Sequence, residues 1–267
     1  MLTRNNVLFY YGTYDLLSTA ADVQSAVGVL TRFDLLVIKP TLAPTSALMQ
    51  ELLVGYRTIK PSGKVFGYTQ YTSAVTDVTN AITAWQTDYP GALAGFYIDN
   101  FGAASKADQN TMVAAVRAVS STASVFVNPS PGSLIATLED VPSISPDPTI
   151  GMSNTAQDYV VVDDFYYKNE NSATPTKEGM ESIVGRMLFI ANTVNRLSAV
   201  TSSPITLKLN FVAKVGAGTS IQVPDADYTK ILNIANQYSL TGLAVVPYDM
   251  GAAGGYFESK QLKVFIP

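Results

Sequence analysis

The segment GFYIDNFG, residues 95–102, contains the residues whose types point most directly to chemistry. An apolar and aromatic run leads to a carboxylate, Asp99, and an amide, Asn100, shortly before a glycine ends it. An unpaired charge is costly to bury, so a carboxylate at the end of a buried strand needs a partner or water. Asp99 can therefore be a catalytic acid or nucleophile, or only a polar residue where a strand reaches solvent.

The absence of two residue types narrows that chemistry. The 267 residues include no Cys and no His. A Ser-His-Asp triad, a Cys nucleophile, Cys-based zinc sites and His-based metal centres are therefore excluded. Acid–base catalysis is left to Asp, Glu, Lys or Tyr. We expect no metal ion and no cofactor.

Composition and charge exclude further classes of protein. Hydrophobic residues make up 47%, enough for a sizeable core, whereas charged residues make up only 14% and the net charge is −4. With no basic patch, we expect no nucleic-acid partner. No apolar run approaches the roughly 18 residues that a membrane span needs. The length favours one large domain over residues 1–267.

Strand-like and helix-like runs alternate along the chain. The strand-like runs are 6–14, 33–40, 64–72, 95–102, 124–131, 158–167, 205–214 and 242–251. Eight such runs with seven intervening helices, spaced by about 30 residues, predict parallel βαβ units and a (β/α)₈ TIM-type barrel with an irregular C-terminal end. A doubly wound sheet is the rival, but YYGTYD after the first strand lacks its GxGxxG turn. Ser105 is expected to cap a helix, and Trp85, at apolar helical spacing, to lie in the core.

Active sites of such barrels lie at the C-terminal ends of the strands. Alternation along the fourth strand predicts that Tyr97 and Asp99 face the interior, while Phe96 and Ile98 face the helices. The same alternation predicts that Phe126 and Asn128 of the fifth strand, and Lys208 and Asn210 of the seventh, face the interior. The candidate catalytic residues are Asp99, Asp164 and Asp163, and alternation does not choose between the last two. The candidate substrate-binding residues are Tyr11, Lys39, Tyr68, Gln70, Tyr97, Asn128, Tyr166, Lys208, Asn210, Tyr248 and Asp249.

A mouth of carboxylates, amides and tyrosines suits a sugar ligand. Tyrosine rings stack on the apolar faces of pyranose rings, and we expect Tyr68, Tyr97 and Tyr166 to do so. Amides and carboxylates bind sugar hydroxyls, and two carboxylates can divide into acid and base or acid and nucleophile. The alternative is structural: Asp163 and Asp164 can cap a loop, and Asp249 can belong to a Gly-rich turn.

The motifs FDLLVIKP at strand two and GFYIDNFG at strand four, together with a polar sixth strand, resemble the spherulin-four-like group of barrels. That group is related to polygalactosaminidase-type glycosidases. The resemblance implies a TIM barrel acting on a polysaccharide, such as one containing amino sugars, with Asp99 as the catalytic carboxylate and Asp164 or Asp163 as its partner. Two positions depart from the pattern: Lys39 stands where Asn is typical, and Asn100 stands where Glu often occurs.

A second function stays open beside the enzyme. The two departures, and the absence of Glu from the predicted strand ends, favour a catalytically silent barrel that binds host glycan or serves as a structural part of a phage virion. The N-terminus MLTRNNVLFYYGTYD lacks the apolar core and cleavage site of a signal peptide. We therefore expect an extracellular or virion-associated protein without a signal peptide, whose partners are a polysaccharide or cell-surface glycan and, in the second case, other virion proteins.

Overall fold

The computed structural model describes most of the barrel and its helices. The described residues are 5–10, 20–39, 46–129, 158–162, 166–168, 176–177, 179–188, 210–217, 225–238 and 240–247. The predicted helix in residues 132–141 and the predicted irregular end after the eighth strand lie outside these ranges. Within them, no helix has the length and apolar character needed to cross a membrane.

Eight strands form the centre of the fold. They are β1 (Asn5–Tyr10), β2 (Leu35–Ile38), β3 (Lys64–Gln70), β4 (Gly95–Asp99), β5 (Ser124–Val127), β6 (Tyr159–Val162), β7 (Asn210–Ala217) and β8 (Gly242–Pro247). Each strand pairs in parallel with the next, and β8 pairs with β1 to close the barrel. The predicted (β/α)₈ barrel is therefore confirmed, and the open doubly wound sheet is excluded.

Helices follow most of these strands. The described helices are α1 (Ala20–Leu30), α2 (Ser46–Ile59), α3 (Val75–Asp88), α4 (Lys106–Val119), α5 (residues 180–188) and α6 (Asp225–Gln237). A short antiparallel ribbon pairs Tyr167–Lys168 with Thr176–Lys177. The side-chain oxygen of Ser105 accepts a hydrogen bond from the backbone N–H of Asp108 at 3.2 Å, which confirms the predicted N-cap of α4.

The apolar side chains divide into an inner and an outer core. Tyr97 and Phe126 belong to the cluster inside the barrel, whereas Phe96 and Ile98 belong to the cluster between the barrel and the helices. The predicted two-residue alternation in β4 is therefore confirmed. Inside, the ring of Tyr97 makes edge-to-face contacts with Phe9 at 5.2 Å and Phe126 at 5.4 Å between centroids, so aromatic rings fill the barrel.

Trp85 and Gly95 determine how β3 and β4 pack against their neighbours. Trp85 of α3 is buried and its indole N–H donates to the carbonyl oxygen of Tyr68 at 3.0 Å, which confirms it as a core residue. Gly95 begins β4 where the neighbouring strand is too close for a side chain: a Cβ there would lie 1.9 Å from the carbonyl oxygen of Ser124. Glycine is thus required at the start of the strand that ends in Asp99.

Candidate functional site

Asp99 is the last residue of β4 and lies partly buried at the C-terminal end of the barrel. Its Oδ2 accepts a hydrogen bond from the hydroxyl of Tyr68 at 2.7 Å. Its Oδ1 accepts from Nδ2 of Asn128 at 3.1 Å and from the backbone N–H of Asn100 at 3.0 Å. Three donors thus engage both oxygens and fix the orientation of the carboxylate.

The parallel register brings two of these donors to Asp99. On β3, Gln70 pairs with Asp99 and Tyr68 pairs with Tyr97, so the Tyr68 hydroxyl reaches the carboxylate from the next strand and one layer below. On the other side, Asn128 follows the end of β5, and its backbone N–H donates to the carbonyl oxygen of Ile98 at 2.9 Å. Asp99 is therefore held between its two neighbouring strands.

Asn100 turns the chain immediately after the carboxylate. Its φ of 55° and ψ of 25° lie in the left-handed region, which Asn tolerates better than most residues. A short 3₁₀ helix, Phe101–Ala103, follows, and the backbone N–H of Phe101 donates to the carbonyl oxygen of Asn128 at 2.9 Å. Unusual backbone conformations of this kind concentrate at functional sites, where the surrounding structure holds them.

Tyr68 supports Asp99 as a neutral donor. Burial raises the pKa of its phenol above the ordinary value, and the Asp99 charge and hydrogen bond raise it further. The ring contacts Tyr97 in a stacked arrangement, with centroids 5.7 Å apart. The ammonium of Lys39 lies over the same ring, 5.1 Å from its centroid. These contacts fix the ring, and therefore the direction in which its hydroxyl points.

The structure thus brings together four of the residues selected from the sequence: Asp99, Tyr68, Asn128 and Lys39. Gln70, paired with Asp99, ends β3 at the same level. The stacking role expected of the tyrosines does not fit their positions, because Tyr68 is only 7% exposed and Tyr97 only 1% exposed. Sequence reasoning missed the hydrogen bond from Tyr68 to Asp99, although it selected both residues near the ends of adjacent strands.

Tyr166 lies away from this cluster. It is 4% exposed and belongs to the outer core, between the barrel and the helices. Its hydroxyl donates to Oδ1 of Asp227 in α6 at 3.1 Å. Burial, followed by this hydrogen bond and the charge of Asp227, raises the pKa of Tyr166 to about 12. Tyr166 therefore ties a helix to the barrel and is not placed to stack on a sugar at the mouth.

Asn210 requires a correction. The sequence placed it near the C-terminal end of the seventh strand, but it is the first residue of β7 and pairs with Tyr159, the first residue of β6. Its backbone therefore lies at the opposite end of the barrel from Asp99. The seventh strand continues to Ala217, further than its apolar pattern indicated. The remaining candidates lie outside the described residues: Tyr11, Asp163, Asp164, Lys208, Tyr248 and Asp249.

Comparisons with known proteins show the fold. No family model matches the chain, and no curated protein matches it. Among solved structures, the chain is similar to cellulose synthase subunit Z from Clostridioides difficile, with a TM-score of 0.52 and 9% identity over 95% of this chain and 93% of that one. It is also similar to an alpha-amylase from Lactobacillus plantarum, with a TM-score of 0.53 and 8% identity over 92% of this chain and 71% of that one. Identities this low show a shared (β/α)₈ fold alone.

Proposed function

We propose that this protein is a glycoside-hydrolase-like barrel that binds and cleaves a polysaccharide at its C-terminal end, with Asp99 as the catalytic carboxylate. The observation that carries the proposal is the set of three donors around Asp99. A carboxylate fixed in this way, at the end of the barrel where the active sites of this fold lie, is preorganised to act on a bound substrate.

The donors favour one role for Asp99 over another. The sequence left open whether it is the acid or the nucleophile. Because both oxygens of Asp99 accept hydrogen bonds from protein groups, we propose that Asp99 is the nucleophile or base and not the proton donor. We propose that the proton donor comes from the end of the sixth strand, from Asp164 or Asp163. A neutral Tyr68 keeps its proton and orients Asp99 throughout.

The substrate class is supported by the two structures that share the fold. One is a cellulose synthase subunit and the other an alpha-amylase, so a glycan is the substrate class that agrees with both. The resemblance of GFYIDNFG to polygalactosaminidase-type barrels agrees with a glycan as well, and we retain the spherulin-four-like family as a proposal. We also propose that residues 1–267 form one barrel domain, as its length suggested.

Asp99→Asn tests this function. The substitution keeps the shape of the side chain and removes the charge, so we expect the release of reducing ends from surface polysaccharides to fall by at least about 10²-fold. Asp108→Asn is the matched control: Asp108 lies at the N-terminus of α4 on the same end of the barrel and accepts from the Tyr71 hydroxyl at 3.3 Å. Equal turnover by the wild type and Asp99→Asn would remove Asp99 from the mechanism.

A barrel without turnover is the second candidate. The observations that favour it are that protein groups already donate to both oxygens of Asp99 and that Tyr68 and Tyr97, the expected sugar platforms, are buried. A carboxylate held by protein donors can also be purely structural. In this case the protein binds host glycan, or forms part of a virion with other virion proteins, without cleaving it. Detection of newly formed reducing ends with the purified protein would reject this candidate.

A further inference from the structure

We propose that Lys39 makes this site selective for an acidic polysaccharide, one whose carboxylate or sulfate groups bind the Lys39 ammonium. This inference rests on the proposed function and names the substrate class of the same site. Lys39 directly follows β2, and Ile38 of that strand pairs with Gly67 of β3. Lys39 and Tyr68 therefore lie at the same level, at the end of the barrel that contains Asp99.

Lys39 and Asp99 contact the same tyrosine from different sides. The Lys39 ammonium lies 5.1 Å from the centroid of the Tyr68 ring, and the hydroxyl of that ring donates to Asp99. One aromatic ring thus separates the cation from the candidate catalytic carboxylate. Lys39 is partly exposed, so a ligand bound beside Asp99 can reach its ammonium.

No carboxylate among the described residues forms an ion pair with Lys39. Two other lysines differ from it in this respect: Lys60 pairs with Asp34 at 2.7 Å and Lys177 pairs with Asp227 at 2.8 Å. Within the same ranges, Lys39 has a cation–π contact and no ion pair. An aromatic face attracts a cation weakly and leaves its N–H groups able to donate. An anionic ligand group would complete this arrangement with charge-assisted hydrogen bonds.

Two described carboxylates at this end of the barrel, Asp77 and Asp108, have partners other than Lys39. Asp77 accepts from the backbone N–H groups of Ser73 and Ala74 at 3.1 and 3.2 Å, at the N-terminus of α3. Asp108 accepts from the hydroxyl of Tyr71 at the N-terminus of α4. Neither forms an ion pair with Lys39. A polysaccharide with free amino groups, which the sequence resemblance suggested, would be repelled by Lys39, so the two substrate classes make opposite predictions.

The test compares four hexasaccharides as ligands of the full chain. Hexamers of galacturonic acid and sulfated galactose are acidic, the galactose hexamer is neutral, and the glucosamine hexamer contains free amino groups. We expect the wild type to bind the galacturonate hexamer more tightly than the galactose hexamer, with an affinity that falls as salt is added. Lys39→Gln should weaken binding of the acidic hexamers by about tenfold and leave the neutral hexamer unchanged. Lys39→Arg should retain the preference. The two acidic probes show whether carboxylate or sulfate is preferred.

The outcomes separate this inference from the function on which it rests. Equal binding of acidic and neutral hexamers by the wild type, or an acidic preference that survives Lys39→Gln, would overturn the role of Lys39 and leave glycan binding standing. Tighter binding of the glucosamine hexamer would overturn it in favour of amino sugars. Binding of none of the hexamers would overturn both. The control is thermal unfolding. If Lys39→Gln unfolds at the same temperature as the wild type, any loss of hexamer binding is not caused by a loss of fold.

Discussion

The two ends of the barrel contain charged groups of the same kinds but stabilise them differently. At the N-terminal end, Asp158 is fully buried, pairs with Arg117, and accepts from the backbone N–H of Val125 at 2.9 Å. At the C-terminal end, the donors to Asp99 are all neutral, and the nearby cation, Lys39, lies on an aromatic ring. Among the described residues, Asp158 and Arg117 form an ion pair at the N-terminal end, whereas Asp99 and Lys39 form none at the C-terminal end.

Lys64 and Tyr159 complete the N-terminal end. The Lys64 ammonium donates to the Tyr159 hydroxyl at 3.3 Å, and burial lowers the pKa of Lys64. Burial, and then the charge of Asp158, raises the pKa of Tyr159 to about 12. Each group here is satisfied by another part of the protein, which is the pattern of a region that stabilises the fold. At the C-terminal end, by contrast, Lys39 is partly exposed and forms no ion pair with a described carboxylate.

The largest expected effect comes from breaking the N-terminal ion pair. Asp158→Ala leaves the Arg117 guanidinium and the Val125 N–H without their acceptor, so we expect the free energy of unfolding to fall by about 3 kcal/mol. Arg117 is partly exposed and its guanidinium can still bind water. We therefore expect a loss of unfolding free energy at the lower end of the range for broken buried ion pairs. Urea unfolding measures it.

Asp99→Asn provides the comparison for that variant, since we expect it to lower the free energy of unfolding by only about 1 kcal/mol. Equal destabilisation by Asp158→Ala and Asp99→Asn would show that both ends are structural. That result would remove the distinction between a stabilising end and a functional end.

A smaller effect is expected from removing one hydroxyl at each end. Tyr68→Phe deletes the donor to Asp99 Oδ2 and keeps the ring under Lys39, so we expect polysaccharide turnover to fall by about tenfold through kcat, with little change in KM. Tyr159→Phe deletes the hydroxyl that meets Lys64 and should leave turnover unchanged. A turnover loss of the same size in both variants would mean that the hydroxyl of Tyr68 acts on overall stability and does not position Asp99.

The last prediction concerns the stability of the protein at alkaline pH. The pKa of Tyr159 is raised from 10.0 to about 12, so the folded state keeps this proton where the unfolded state loses it. Its contribution to stability is full below about pH 10 and is lost as the pH rises towards 12. Tyr159→Phe should therefore flatten the decline in unfolding free energy between pH 10 and pH 11.5 by about 1–2 kcal/mol. Parallel declines in the variant and the wild type would show that Tyr159 titrates normally.

Much of the fold could be predicted because it follows from local patterns. Alternation placed Phe96 and Ile98 outside and Tyr97 inside, and the structure confirms all three. Prediction failed for residues whose positions depend on contacts with distant parts of the chain. Asn210 was assigned to the wrong end of its strand, because the stagger between β6 and β7 is set by barrel closure and not by the apolar pattern of either strand. Tyr166 was assigned to the mouth, although its partner is Asp227 in α6.

The sequence by itself determined the alternation of strands and helices, the inward direction of Asp99, and, through the absence of Cys and His, the chemistry open to it. These follow from backbone periodicity and residue type, which are local properties. Only the tertiary structure decided that Tyr68 and Asn128 donate to Asp99 and that Lys39 lies over Tyr68. Those contacts join residues about 30 positions apart, and they form only where neighbouring parallel strands align in register and end at the same level.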